Sequence, residues 1–255
     1  MAGLQAGFQK HFEVLTAVSG PLVEQAQALR YQVYCLETGF EDASRFPDGR
    51  ERDDFDCRSV HGLIRCRATG EALATVRLVL SDSSDGTAPF PMEACRGLPP
   101  LLAASAAPSG RSSLAEISRF AISKEAVARF HTVLAGQGAG NSASRLGGGG
   151  MIPCLTLGLF QAIVRMSADH GVSQWCAVME PSLLRLLTRF GIFFETLGGL
   201  VDYHGRRQPC LGAVDEVLGG IYHHRREVWG MITLEGSLWA PPSDHRPAVA
   251  AAGVR

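Results

Sequence analysis

The stretch LAEISRFAI, residues 114–122, decides the fold because it places charged side chains inside an otherwise apolar segment. Its pattern predicts a β-strand in which Glu116, Ser118 and Phe120 share one face and Ile117 and Arg119 share the other. Charges in a central strand are costly unless they are paired or line a cavity. We therefore expect this strand to border either a buried ion pair or a functional cleft.

The predicted elements around this strand mix strands and helices, and the sequence contains no internal repeat. Strands are predicted over residues 11–18, 61–66, 73–80, 175–179, 195–197 and 209–214, and helices over residues 21–36, 153–169, 181–190 and 216–225. Residues 68–71 predict a hairpin turn between two of the strands. The order indicates an α/β (α+β) fold with a mixed, mostly antiparallel sheet flanked by helices.

Length and composition set limits on the domain organisation. A chain of 255 residues is long enough to bury a sizeable core, and we expect one domain over residues 1–240. Residues 130–150 are dominated by Gly, Ser and Ala and predict a flexible insertion. Residues 241–255, rich in Pro and Ala, predict a disordered tail.

Charge and hydropathy argue against several classes of protein. A formal net charge of −1 argues against a general nucleic-acid binder. The amino-terminal segment lacks the pattern of a signal peptide, and the apolar run over residues 151–164 is shorter than the roughly 18 to 20 residues of a bilayer span. The seven cysteines contain no CxxC pair, which favours a cytoplasmic protein without a structural metal site.

Charged residues also interrupt apolar patterns earlier in the chain. Arg30 and Tyr34 are four residues apart on a predicted helix and therefore share a face. The segment ERDDFDC, which contains Asp53 and Asp56, needs a compensating cation: a substrate ammonium, a metal or an arginine. Arg77 lies inside the strand sequence ATVRLVL. The alternative interpretation is structural, with a solvated arginine, an acidic turn and a buried ion pair between strands.

Taken in order, Arg30, the D-x-x-D pair, Arg77 and the E-x-S-R-F strand resemble the acyl-homoserine-lactone synthase family, a branch of the GCN5-related N-acyltransferase (GNAT) fold. The motifs cover residues 10–125. The chain is also similar to the long-chain N-acyl amino acid synthases. Through LRYQVYCLETGFE, EISRFAIS and MEPSLLRLLTRFG it is similar to acyltransferases associated with the PEP-CTERM/exosortase protein-sorting system.

The resemblance implies an N-acyltransferase that joins a long-chain fatty acyl group to the amino group of an amino acid. Glu116 would be the general base, acting through water. Ser118 and Arg119 belong to the same catalytic strand, and Ser118 has no neighbouring His that would make it a nucleophile. The resemblance places the following residues at the acceptor end: Arg30, Tyr34, Asp53, Asp56, Arg77 and Phe120. Arg77 can instead be a structural partner within the sheet.

The resemblance also implies a thioester donor, either an acyl carrier protein carrying a phosphopantetheine thioester or acyl-CoA, and no permanently bound cofactor. Arg145, Gly148 and Gly150 form an R-x-x-G-x-G sequence before a predicted helix, which suits a pyrophosphate. A plain flexible linker is the alternative. Basic residues can steer an acidic carrier protein, and they include Arg185, Arg189, Arg206, Arg207 and residues 223–226.

The acceptor and the activity leave alternatives open. Tyr34 stands where the lactone synthases have an aromatic residue and Phe40 where a Trp is common, which favours an ordinary amino acid over S-adenosylmethionine. A true lactone synthase and a non-catalytic acyl-binding or scaffold protein of a sorting system are the two alternatives. A long acyl chain needs an apolar tunnel, which residues 153–166 and 175–179 can wall.

Overall fold

The structure is a computed structural model that describes residues 3–18, 20–81, 88–94, 110–136, 150–203 and 205–242. Most of the predicted insertion, residues 137–149, lies outside the described residues, as does the predicted tail from residue 243 onward. Arg145 and Gly148 of the predicted donor loop therefore lie outside them as well.

Eight strands of the described chain form the sheet. They are β1 (Phe12–Ala17), β2 (Ser59–Cys66), β3 (Ala72–Leu80), β4 (Leu114–Ile122), β5 (Gln174–Met179), β6 (Glu195–Thr196), β7 (Val201–Asp202) and β8 (Arg206–Ala213). The strand order is β1-β2-β3-β4-β5-β8-β6, and β7 pairs with β8. The β4–β5 pair is parallel and the other pairs are antiparallel. The predicted mixed, mostly antiparallel sheet is confirmed.

Seven α-helices flank this sheet within the described residues. They are α1 (Gly3–His11), α2 (Gly20–Tyr31), α3 (Lys124–Gly136), α4 (Met151–Asp169), α5 (Pro181–Arg189), α6 (Val214–His224) and α7 (Arg226–Thr233). A π-helical turn, Gln32–Glu37, continues α2, and short 3-10 turns cover Asp54–Arg58, Pro91–Ala94 and Gly110–Ser113.

Helix α4 forms the centre of the core. It is apolar on nearly all sides and packs between the sheet and α7. The approach to β2 is close, since a Cβ atom on Gly62 would lie 2.5 Å from that of Ala162. By length and hydropathy α4 is the one described helix that could cross a membrane, and 78% of its apolar window is buried inside the protein.

Two differences from the predicted elements have clear physical reasons. The first part of the predicted insertion is helical, because α3 buries Phe130 against Phe12 at a ring separation of 5.0 Å. Its first turn is capped from outside the helix, since Glu37 accepts hydrogen bonds from Lys124 N and from Ser123 Oγ. The predicted helix over residues 216–225 is α6, and a further helix that was not predicted, α7, begins directly after a break at Arg225.

Candidate active site

A cavity opens where β4 and β5 separate. Their parallel pairing runs from Leu114 opposite Gln174 to Ile117 opposite Ala177 and stops there, although β4 continues to Ile122. The cavity has a volume of about 460 Å³. Its apolar lining residues include Ile152, Phe160, Leu183, Leu186, Leu187, Phe120 and Ile122. Its polar lining residues include Glu41, Glu116, Ser118, Arg119, Glu180, Tyr203 and Arg207.

A β-bulge in β4 determines which of its side chains point to each face of the sheet. Ser118 pairs with Arg77 and Ala121 with Thr75, so that Arg119 and Phe120 together stand opposite a single residue of β3. Arg119 has a positive φ of 48°, which is uncommon for a residue with a side chain. The predicted alternation is therefore wrong beyond Ser118. Phe120 packs on Phe160 of the core helix at a ring separation of 6.0 Å, whereas Arg119 joins the charged residues.

Arg30 anchors the charged cluster from the end of α2. Its side chain is fully buried, which excludes the alternative of a solvated arginine. Its Nε donates to Glu51 Oε2 at 2.5 Å. Its two terminal nitrogens donate to Asp56 at 2.6 and 3.1 Å, a two-pronged arrangement that fixes both groups.

Two further arginines complete the cluster from the sheet. Arg77, also fully buried, donates from Nη1 to Asp53 Oδ1 at 2.5 Å and from Nε to Ser118 Oγ at 3.0 Å. Arg119 Nη2 donates to Glu51 Oε1 at 3.0 Å and to Asp53 Oδ2 at 3.1 Å. The Arg119 guanidinium also lies 5.4 Å from the ring centre of Tyr34, within cation–π range.

Three arginines of the cluster face three carboxylates, and a fourth carboxylate, Glu41, lies 3.7 Å from Arg119. Burial alone would raise the pKa of Asp56, but the hydrogen bond and charge of Arg30 hold it well below its usual value. Burial likewise acts against Glu51, and Arg30 and Arg119 overcome it, so the pKa of Glu51 is also lowered. Arginines therefore supply the cation that the acidic segment requires. The described residues contain no group of three ligating side chains placed to hold a metal ion.

Glu116 stands apart from this cluster, among the polar residues that line the cavity. It is 4% exposed, and its Oε2 accepts a hydrogen bond from Met92 N at 2.8 Å. Burial raises the pKa of Glu116 to about 8, and the Met92 N–H, Arg77 and Arg119 offset only part of that effect. A carboxyl group with this pKa can take up and release a proton near neutral pH.

The structure sorts the predicted site residues into two groups. Five of them line the cavity: Tyr34, Glu116, Ser118, Arg119 and Phe120. The other four form the charged cluster, which is joined to Arg119 through Asp53: Arg30, Asp53, Asp56 and Arg77. Gly150 caps the amino terminus of α4 with φ +98°, next to the cavity-lining Ile152.

Sequence reasoning did not place Glu51 or Glu180 in the site, and it assigned Arg207 to a surface for an acidic carrier protein. Glu51 joins Arg30 to Arg119. The sequence did contain a signal for it, because three arginines and only two aspartates had been predicted for the cluster and a third carboxylate was needed to balance them. Glu180 and Arg207 form an ion pair of 2.8 Å at the cavity wall. The basic residues Arg185, Arg189, Arg206 and Arg225 are exposed.

Comparisons with known proteins agree with the observed fold. Residues 29–134 match the family described as acetyltransferase (GNAT) domain. No curated protein matches the chain at a significant level.

Solved structures with the same fold include three acyl-homoserine-lactone synthases. LasI aligns with a TM-score of 0.57 at 18% identity, covering 84% of this chain and 95% of its own. TofI, in a complex with an inhibitor and MTA, aligns with a TM-score of 0.55 at 21% identity, covering 82% and 95%. BjaI, a CoA-dependent synthase with SAM and isopentyl-CoA, aligns with a TM-score of 0.54 at 21% identity, covering 91% and 90%. The predicted lactone-synthase-like fold is confirmed, while the likeness to PEP-CTERM/exosortase acyltransferases stays a prediction.

Proposed function

We propose that the protein is an N-acyltransferase that joins a long-chain acyl group from a thioester to the amino group of an amino acid, since residues 29–134 match the acetyltransferase (GNAT) domain family. The observation that carries the proposal is a buried carboxyl group, Glu116, in the wall of a cavity that many apolar side chains also line. An apolar wall suits a fatty chain, and a titratable group beside it suits proton removal from an amine.

The proposed reaction needs no covalent enzyme intermediate. The neutral amine attacks the thioester carbonyl carbon, so that a C–N bond forms and the C–S bond breaks. Glu116 accepts the amine proton, through a water molecule, and the departing sulfur leaves as a thiol after protonation. In the proposal, backbone N–H groups beyond the last β4–β5 pair, Ile117 and Ala177, would polarise the carbonyl oxygen.

The charged cluster has a positioning role in this proposal. Arg30 and Arg77 are fully buried, and Asp53 and Asp56 already accept from arginines, so the proposal pairs the four with one another rather than with the acceptor. Asp53, together with Glu51, holds Arg119 in its left-handed conformation at the cavity wall. Ser118, which accepts from Arg77 Nε, serves the same purpose.

The donor in the proposal is an acyl carrier protein thioester or acyl-CoA, used in the cytoplasm. Thr156 and Phe160 of α4, with Leu183 and Leu187 of α5, would wall the acyl chain. The sequence around Arg145, Gly148 and Gly150 would bind phosphate groups just before α4. Exposed Arg185 and Arg189 on α5, on a helix whose other face lines the cavity, would steer an acidic carrier protein.

The test is mass spectrometry of lipid extracts from a host that overexpresses the protein. We expect N-acyl amino acids with the wild type and with Glu195→Gln, a control at an exposed position of β6. Glu116→Gln should lower turnover by about 100- to 10,000-fold while thioester binding is retained, since only the base is lost. Unchanged turnover in Glu116→Gln would remove the proposed base and favour a non-catalytic acyl-binding or scaffold protein.

A second candidate is a lactone synthase that uses S-adenosylmethionine, which the shared fold with BjaI, solved with SAM, favours. The two products differ chemically. An N-acyl amino acid keeps a free carboxylate, whereas a lactone opens in alkali and gains the mass of one water molecule. Extracts treated with and without alkali therefore separate the two candidates.

A further inference from the structure

Two of the polar residues that line the cavity are arginines, and each lies against an aromatic ring. Arg119 is 5.4 Å from the ring centre of Tyr34, and Arg207 is 5.7 Å from that of Phe40. A guanidinium held against a ring has few orientations open to it, so its donors are directed in advance. Both arginines are therefore candidates for binding a planar anion inside the cavity.

The two arginines differ in how far their charges are already compensated. Arg119 lies within ion-pair distance of three carboxylates, at 3.0 Å from Glu51, 3.1 Å from Asp53 and 3.7 Å from Glu41. Displacing any of them would disturb a largely buried cluster. For Arg119 a further anion would add negative charge to a site that already holds a surplus of it.

Arg207 has a partner that can leave. Its Nη1 lies 2.8 Å from Glu180 Oε1, and the Glu180 side chain is 48% exposed while that of Arg207 is 14% exposed. An ion pair with one solvated member is weak, and the solvated member can return to water at little cost. Ser182 Oγ, which donates to Glu180 Oε2 at 3.0 Å, remains as a partner for the released carboxylate.

The position of Arg207 relates it to the acceptor rather than to the acyl chain. Phe40, against which Arg207 lies, directly precedes Glu41, and Glu41 reaches Arg119. Through these contacts Arg207 is connected to Arg119 among the polar residues that line the cavity.

We propose that Arg207, backed by Phe40, binds the free carboxylate of the acceptor amino acid, and that Glu180 occupies the same donors while the site is empty. The inference rests on the proposed function and narrows its substrate class to acceptors with a free carboxylate next to the amine. Such an arrangement would select acceptors by charge. An amine without a carboxylate would leave the Arg207–Glu180 ion pair intact and would gain no binding energy from Arg207.

Calorimetric binding of two product-like probes tests this assignment without requiring turnover. The probes are N-dodecanoylglycine and its primary amide, which differ only in the carboxylate. The wild type should bind the acid about 10- to 100-fold more tightly than the amide, the range expected for a hydrogen-bonded charge. Arg207→Met should bind the two probes equally. Arg207→Lys should keep only part of the preference, because lysine keeps the charge but lacks the two parallel N–H donors of the guanidinium.

Two further variants sharpen the experiment. Arg206→Met, at the exposed neighbouring position of β8, should keep the full preference for the acid. Glu180→Gln should bind the acid about two- to fivefold more tightly than the wild type, because the competing carboxylate is gone.

The inference is overturned if the wild type does not prefer the acid, or if Arg207→Met keeps the preference. It is also overturned if Arg207→Met weakens dodecanoyl-CoA and leaves the acid preference intact, since Arg207 would then bind a donor phosphate. Turnover is measured separately. An acid preference that depends on Arg207, in a protein that forms no N-acyl product, would refute the proposed function and leave the carboxylate site standing.

Discussion

Glu116→Gln should make the protein more stable, by an amount that grows with pH. The folded protein holds the Glu116 carboxyl in its neutral form, because burial raises its pKa from 4.5 to about 8. In the unfolded chain the same group ionises near its ordinary value. Its favourable contribution to folding is therefore complete below about pH 4.5 and is lost progressively as the pH rises to about 8.

The size of the effect follows from the pKa difference. Each pH unit between the two pKa values changes the free energy of unfolding by about 1.4 kcal/mol. The wild type should therefore have lost about 3 kcal/mol at pH 7 and about 5 kcal/mol above pH 8 relative to acid conditions, through this group alone. Glutamine cannot ionise, and its side-chain oxygen can still accept from Met92 N, so the variant should escape this loss.

The measurement is urea denaturation of the wild type and the variant, side by side, between pH 5 and pH 9. The free-energy difference between them removes the contributions of all other titrating groups. Glu195→Gln, at an exposed position, should differ from the wild type by less than about 0.5 kcal/mol at every pH.

A difference that stays constant with pH would refute the reasoning, because Glu116 would then titrate alike in the folded and unfolded states. A glutamine variant that becomes relatively less stable as the pH rises would show that the folded state favours the carboxylate. Either result would remove the physical basis for a base that works near neutral pH.

Three other predictions concern the activity, the charged cluster and the core. In wild-type protein kcat/KM, calculated for the neutral form of the amine, should rise about tenfold from pH 7 to pH 9, as the ionised fraction of a group with a pKa of about 8 does; a flat profile would exclude Glu116 as the base. Arg30→Met should lower the free energy of unfolding by about 3–5 kcal/mol in urea titrations, because it leaves Glu51 and Asp56 with less compensation; a loss below about 1 kcal/mol would contradict a buried pair. Gly62→Ala should lower the stability by about 1–3 kcal/mol through the 2.5 Å approach to α4. Gly7→Ala, on α1 with open space around it, should not destabilise.

Local patterns allowed much of the fold to be predicted. The strand over residues 114–122 and the hairpin of β2 and β3 follow directly from alternation and turn residues, and both are observed. Helix α1 was missed because its sequence, GLQAGFQKH, has a single buried residue, Phe8, and hence no repeating apolar pattern. Helix α3 was missed because the Gly-rich sequence that follows it dominated the composition of the region.

The site was predictable by residue type but not by role. The family resemblance related Arg30, Asp53, Asp56 and Arg119 to one another, and the structure brings them together. That Arg119 would join this cluster could not be read from alternation, since a bulge depends on the pairing with β3 rather than on the strand's own sequence. The raised pKa of Glu116 depends on burial by distant segments, which outweighs the opposing hydrogen bond from Met92 N and which spacing in the sequence does not report.

The extra residue in β4 places two different chemistries at adjacent positions of one strand. Arg119 and Phe120 stand opposite a single residue of β3, and the guanidinium joins the ion pairs while the ring packs on the core helix. Deletion of Arg119 would leave Ser118 opposite Arg77 and Ala121 opposite Thr75, so the residues that follow would keep their register and their faces. A change of length at this point would therefore spare the sheet and remove only a cation from the site, whereas a deletion elsewhere in the strand would turn every later side chain to the other face.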